Sequence, residues 1–94
     1  MKVVWSSRAI RHLVNLRAYI EKDSEQNAAL VANRILQAVD LLQIQPGMGR
    51  PGRVPGTREL VVPDTRYIIP YRIRRERLEL IAVFHARQKW PAKL

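Results

Sequence analysis

Five side chains, all in the second half of the chain, are of the types that acid–base chemistry on RNA requires: His85, Glu59, Arg58, Arg72 and Arg87. Metal-free cleavage of RNA needs a general base for the ribose 2′-hydroxyl, a general acid for the leaving oxygen, and cations that stabilise the phosphorane. Histidine, or a glutamate with a shifted pKa, can exchange protons near neutral pH. These five residues are therefore the candidate catalytic set if the chain is a ribonuclease.

His85 also has a structural interpretation, which we favour. A single histidine at the end of a strand usually hydrogen-bonds to a backbone carbonyl and supports the fold. The other histidine, His12, lies on or beside the polar side of a predicted helix. The sequence assigns it no role.

Residues 46–57 hold all four glycines and form a basic loop that could bind a partner. Arg50, Arg53 and Arg58 flank or lie in this loop, which can present guanidinium groups to phosphate or to the carboxylates of a partner protein. The alternative is a solvated loop whose arginines only keep the protein soluble. Because three arginines fall within nine residues among glycines, we favour binding.

The C-terminal segment combines cations with an aromatic ring. Arg87 and Lys89 precede Trp90, and this combination can bind nucleic acid because bases stack on rings while cations hold the backbone. Trp90 fits equally well as a lid that folds back on the core. Both interpretations stay open at this stage.

Charge and composition limit the function classes. The 94-residue chain has a net charge of +9 and no cysteine. Residues 46–94 carry eleven Lys/Arg and four Asp/Glu, a net +7, so a polyanionic partner should bind mostly to this half. Arg74, Arg75 and Arg77 surround a predicted turn, and we interpret them as a solvated turn. Disulfides and zinc–sulfur sites are excluded, and we expect no metal, no cofactor and a soluble cytoplasmic protein.

Hydrophobic periodicity predicts a single α+β domain over residues 1–94, in the order β-α-α-β-β-β. Ser6 or Ser7 can cap a first helix that runs from Arg8 to near Glu21. The apolar stripe of a second helix extends from Ala28 to Leu42, and Pro46-Gly47 stops this helix. The predicted strands are residues 2–5, 57–62, 67–73 and 78–85.

These strands should form a small, mainly antiparallel sheet with the helix hairpin packed on one face. In the last strand we expect Leu80, Ala82 and Phe84 to face one way and the residues between them to face the other. Pro70 conflicts with its strand because proline cannot donate a ladder hydrogen bond. We therefore expect a bulge or an unpaired site there.

The order of these elements, with the residues on them, resembles the RelE/ParE superfamily of toxins from type II toxin–antitoxin systems. The resemblance covers nearly the whole chain. The matching pieces are Trp5, Leu41-Leu42 with Pro46, Gly49-Arg50-Pro51, Gly56-Thr57-Arg58-Glu59-Leu60, Tyr67-Ile68-Ile69-Pro70-Tyr71-Arg72 and Val83-Phe84-His85-Ala86-Arg87-Gln88-Lys89-Trp90-Pro91.

The resemblance implies an antitoxin partner and one of two targets. RelE-like members are ribosome-dependent mRNA endonucleases, whereas ParE-like members poison DNA gyrase. RelE-like nucleases have an arginine directly after the aromatic residue that opens the middle strand, where this chain has Ile68 after Tyr67. The ParE branch is therefore the closer match, and gyrase poisoning is the expected activity. A ribosome-dependent endonuclease and a non-toxic module that only binds antitoxin or nucleic acid are the alternatives.

Overall fold

A computed structural model describes residues 1–94, and both predicted helices are present in it. Helix α1 spans Ser7–Glu21 and helix α2 spans Glu25–Ile44. Each helix begins after a serine whose hydroxyl accepts a hydrogen bond from a backbone N–H of the first turn. Ser6 accepts from Ala9, and Ser24 accepts from Asn27, both at 3.0 Å. The predicted capping by Ser6 is confirmed.

The structure has six strands: β1 (Lys2–Trp5), β2 (Arg50–Pro51), β3 (Arg58–Val61), β4 (Tyr67–Arg74), β5 (Arg77–Leu80) and β6 (Phe84–His85). They form one mixed, mostly antiparallel sheet in the spatial order β1-β5-β4-β3-β2, and β6 pairs with β4. Strand β1 pairs parallel to β5, and all other pairs are antiparallel. The predicted α+β fold is confirmed.

Two predicted boundaries were wrong. The loop 46–57 is not wholly irregular, since the two-residue strand β2 forms within it. The predicted strand 78–85 is two strands, because residues 81–83 leave the ladder. Tyr71 pairs with Leu80, and Ile68 pairs with Phe84. Between these pairs the opposing segment has three residues and β4 has two, so the opposing segment carries one extra residue and forms a β-bulge.

The bulge explains how Pro70 is accommodated within β4. The backbone N–H of Ile81 donates to the carbonyl of Pro70 at 2.9 Å, but proline has no N–H to return. The carbonyl of Ile81 instead accepts from the hydroxyl of Ser6 at 2.8 Å. The expected bulge is present, on the strand opposite the proline.

The hydrophobic core lies between the helix hairpin and one face of the sheet. Leu16, Ile35 and Val39 on the helices pack with Ile69 and Tyr71 on β4. The predicted alternation of residues 80–85 fails at the bulge, because the extra residue turns the side chain of Val83 into the same core as that of Leu80. The predicted packing of the helices on one face of the sheet is confirmed.

Candidate functional site

Glu59 is the centre of an ion-pair cluster that fastens the loop 46–57 to the sheet. Although it is charged, Glu59 is only 3% exposed. Its Oε1 accepts from Nε and Nη2 of Arg50 at 3.2 and 3.0 Å. Its Oε2 accepts from the backbone N–H and Nε of Arg53, both at 2.9 Å. One carboxylate therefore holds two arginines and a loop amide in place.

These contacts fix the protonation state of Glu59. Burial raises the pKa of the carboxyl, but hydrogen bonds from the side chain and backbone of Arg53, and then from Arg50, outweigh burial and lower the pKa to about 2. A carboxylate with so low a pKa is a weak base. At neutral pH, Glu59 is an anion that neutralises its two arginines.

Arg53 connects this cluster to the C-terminal segment. Its guanidinium lies 3.5 Å from the centroid of the Trp90 ring, which is cation–π distance. Trp90 also packs on Phe84, with 4.7 Å between the ring centroids. The lid arrangement considered for Trp90 is therefore the one adopted, although the indole Nε1 is buried without a hydrogen-bond partner.

Arg58 holds the same loop from the other face of the sheet. Its Nη1 donates to the carbonyl of Gly49 at 2.8 Å. The Tyr71 hydroxyl accepts from the Gly49 N–H at 2.9 Å and donates to the carbonyl of Pro46 at 2.7 Å. A Cβ at Gly49 would lie 2.6 Å from the Tyr71 ring, so the loop needs glycine at this close approach.

His85 is the last residue of β6, opposite Tyr67 at the start of β4. It begins a turn that its own ring helps to close. Its Nδ1 accepts from the backbone N–H of Arg87 at 3.1 Å, and its carbonyl accepts from the N–H of Gln88 at 2.9 Å. The ring packs edge-on against Tyr67 at 5.4 Å. The side chains of Arg87 and Lys89 are exposed beyond this turn.

The five candidate catalytic residues do not converge on one point. His85 pairs with Tyr67, whereas Arg58 pairs with Tyr71, four residues further along β4, a separation of roughly 13 Å. Arg72 is one residue further still, and its Nε donates to Glu79 at 2.7 Å. The strand register therefore places His85 and the arginines of β3 and β4 in different parts of the sheet.

His12 has a contact that the sequence did not indicate. Its Nδ1 accepts from the backbone N–H of Val83 in the bulge at 3.1 Å. Burial, with repulsion from Arg11 and Arg8, lowers the pKa of His12, which favours the neutral ring that this hydrogen bond requires. Because 71 residues separate the two partners, no local sequence signal could have revealed the contact.

The outer side of α2 exposes three apolar side chains, of which two lie near its C-terminal end. Leu30, Leu41 and Ile44 are 46%, 53% and 77% exposed and lie on one face of the helix, with the polar Arg34 and Gln37 between the first and the second. Leu41, Met48 and the ion pair of Arg34 with Asp64 line a shallow groove of about 200 Å³ beside Leu41. Such a surface fits a partner better than it fits solvent.

Comparison with known proteins identifies the family. The sequence model of the ParE toxin of type II toxin–antitoxin systems (parDE) matches residues 3–90. This chain belongs to the ParE toxin family. The predicted resemblance, including its ParE branch, is confirmed. The ParE-family chain is thus a toxin of a type II toxin–antitoxin system, and its partner is an antitoxin.

Two similar proteins agree with this assignment. A Sinorhizobium fredii (strain NBRC 101917 / NGR234) protein named "Putative toxin Y4kP" is 52% identical over 93 residues, which make up 99% of this chain and 96% of that protein. A solved structure titled "Chromosomal ParDE TA system from P. aeruginosa" matches with a TM-score of 0.81 at 24% identity, over 90% of the ParE-family chain and 95% of that chain. At this identity, the structural match shows the fold. Neither helix of this toxin is long and apolar enough to cross a membrane.

Proposed function

We propose that this toxin, when free of its antitoxin, arrests bacterial growth in the cytoplasm by poisoning DNA gyrase. The observation that carries the proposal is the dispersal of the candidate catalytic residues: His85 lies roughly 13 Å along the sheet from Arg58. Acid–base catalysis needs its groups within hydrogen-bond reach of the same reacting atoms. Binding and trapping a target enzyme needs no such convergence.

The remaining contacts of these residues also favour gyrase over mRNA as the target. Glu59 is an anion saturated by Arg50 and Arg53, and Arg72 is held by Glu79. The acid–base groups of the endonuclease alternative are thus engaged in structural contacts. The Ile68 that replaces the arginine of RelE-like nucleases supports the same choice.

The target is tested by inducing the toxin in bacteria without antitoxin and pulse-labelling DNA and protein synthesis separately. We expect DNA synthesis to fall first and the His85→Gln variant to remain toxic, because the histidine only closes a turn. A matching assay with purified gyrase should accumulate cleaved DNA. An early fall in protein synthesis that His85→Gln abolishes would instead establish the endonuclease. Normal growth despite soluble expression of the toxin would support the third alternative, a non-toxic binding module.

We further propose that an acidic segment of the antitoxin covers the exposed apolar side chains of α2 and the basic loop that follows this helix. Leu41 and Ile44 provide apolar area. Arg34 in the adjoining groove is already paired with Asp64, so the loop supplies the available positive charge. Arg50 and Arg53 are about half exposed despite their contacts with Glu59. An acidic amphipathic helix, or a strand added at the sheet edge, could satisfy both features.

Replacing Leu41 with Asp should weaken the toxin–antitoxin complex by about 30-fold or more, mainly through faster dissociation, because a central apolar contact is lost. Surface plasmon resonance would measure both rates. Ala18→Asp, on an exposed position of α1, is the matched control and should have little effect. Equal effects of the two variants would place the antitoxin elsewhere.

The same instrument tests the acidic character of the bound segment. Charge attraction speeds association and is screened by salt. We expect the association rate of the wild-type toxin to fall about tenfold or more from low to high salt. A rate independent of salt would contradict an acidic segment.

A further inference from the structure

The β4–β5 hairpin aligns three cations side by side across the sheet. Arg77 on β5 pairs with Arg74 on β4 and with Lys2 on β1. Directly paired residues share a face. Because the next residues in the register, Ile73 with Leu78, include the buried Leu78, the three cations point away from the helices.

The three aligned cations, Lys2, Arg77 and Arg74, have too little negative charge near them within the protein. Like charges placed directly opposite each other across strands are destabilising. Glu79, which lies two residues from Arg77 on the same face of β5, contacts both Arg72 and Arg74, at 2.7 and 3.4 Å. Lys2, Arg75 and Arg77 make no salt bridge. An external anion would relieve the repulsion.

The turn that presents these cations is tightly constrained. Arg75 and Glu76 form the two-residue connection, with φ values of 52° and 61°. Positive φ at both central residues is characteristic of the type I′ turn, whose twist matches that of the two strands it joins. The usual sequence at these two positions is Asn-Gly. An arginine here adopts an uncommon backbone conformation and is held at the tip of the hairpin.

Beside the turn lies a concave pocket of about 450 Å³. Its lining consists of Arg74, Arg75, Arg77 and Glu79, with no apolar residue. Arginine forms paired hydrogen bonds with phosphate oxygens. The pocket has the charge and the donors for a phosphate group.

We propose that the β4–β5 hairpin binds the phosphate backbone of duplex DNA. Interfaces with DNA are polar and positively charged, whereas the centre of a protein interface is depleted of charge and contains apolar or aromatic side chains, which this pocket lacks. Single-stranded nucleic acid requires aromatic rings for base stacking, and none lines the pocket. Arg74, Arg75 and Arg77, interpreted from the sequence as a solvated turn, would then contact DNA phosphates.

The test measures binding of the full chain to a short duplex of mixed sequence by fluorescence anisotropy over a range of salt concentrations. The tip variant is Arg74→Gln, Arg75→Gln and Arg77→Gln. The control variant is Arg11→Gln, Lys22→Gln and Arg66→Gln, which removes the same charge from exposed positions on α1, directly after α1 and in the β3–β4 turn. All six positions are exposed, so both variants should fold, as circular dichroism would verify.

We expect the tip variant to bind at least about tenfold more weakly and to lower the slope of log K against log salt by about one per arginine. The control should lower it by less than one in total. Replacing the three tip arginines with lysine should keep the slope. Equal losses in the two glutamine variants, or no DNA binding at low salt, would overturn the proposal. So would a tip variant that keeps DNA affinity but loses affinity for polyglutamate, which would indicate an acidic protein partner. Gyrase is absent from the assay, so its outcome is independent of the proposed target.

Discussion

Replacing Glu59 with Gln should lower the free energy of unfolding by about 2–3 kcal/mol. Glu59 is the buried anion for both Arg50 and Arg53, and its pKa of about 2 against 4.5 corresponds to a few kcal/mol. Because the two arginines are half exposed and hydrated, the ion pairs are partly screened and the expected loss is smaller than the pKa difference alone implies. Urea denaturation followed by circular dichroism would measure the loss. Glu21→Gln breaks the exposed Arg17–Glu21 pair and is the control, with an expected change below about 0.5 kcal/mol.

The pH dependence of this loss is also defined. Because folding lowers the pKa of Glu59, the unfolded chain binds more protons between pH 4.5 and about 2. The stabilisation is therefore complete above pH 4.5 and is lost as the pH falls through this window. The difference between wild type and Glu59→Gln should shrink over the same range. A difference that is constant from neutral pH to pH 3 would show that the contribution of Glu59 does not come from its charge.

Replacing Tyr71 with Phe should destabilise the protein by about 2 kcal/mol. The hydroxyl is the partner of both the Gly49 N–H and the Pro46 carbonyl, and an unsatisfied buried polar group costs roughly 1–3 kcal/mol. The loss should be local, because these two groups fix the start of the loop 46–57. Hydrogen exchange of the Gly49 amide should therefore accelerate more than exchange in α1.

Tyr19 provides the matched comparison for Tyr71, because its side chain is 70% exposed and its hydroxyl makes no hydrogen bond within the protein. Tyr19→Phe should leave the denaturation midpoint unchanged within about 0.5 kcal/mol. If Tyr71→Phe behaves in the same way, other groups or water must anchor the loop, and the glycine at position 49 would need a different explanation.

Local patterns in the sequence were sufficient to predict most of the fold. Serine before an apolar helical stripe identified the start of α1, and Pro46-Gly47 identified the end of α2. The predicted strands 2–5, 57–62 and 67–73 correspond to β1, β3 and β4, whereas the predicted strand 78–85 covers both β5 and β6. These signals depend on neighbours within a few residues, so they can be read without knowledge of tertiary contacts.

The contacts that shape the site could not be predicted in this way. Ser6 and His12 hold the bulge at residues 81–83 from 75 and 71 residues away. The bulge itself moved Val83 into the core, contrary to simple alternation. Glu59 was a catalytic candidate because of its residue type. Its burial and its contacts with two arginines, which together set its pKa, were visible only in the structure.

The parallel pairing of β1 with β5 affects the timing of folding during synthesis. Lys2–Trp5 is synthesised well before its only strand partner, Arg77–Leu80. The edge of the sheet, and the bulge contacts of Ser6 and His12, must wait until almost the whole chain has been translated. Such distant pairings slow folding because a long loop must close first. The sheet of a growing polypeptide therefore lacks its β1 edge, and the bulge lacks its two anchors, until residues 77–83 have been made.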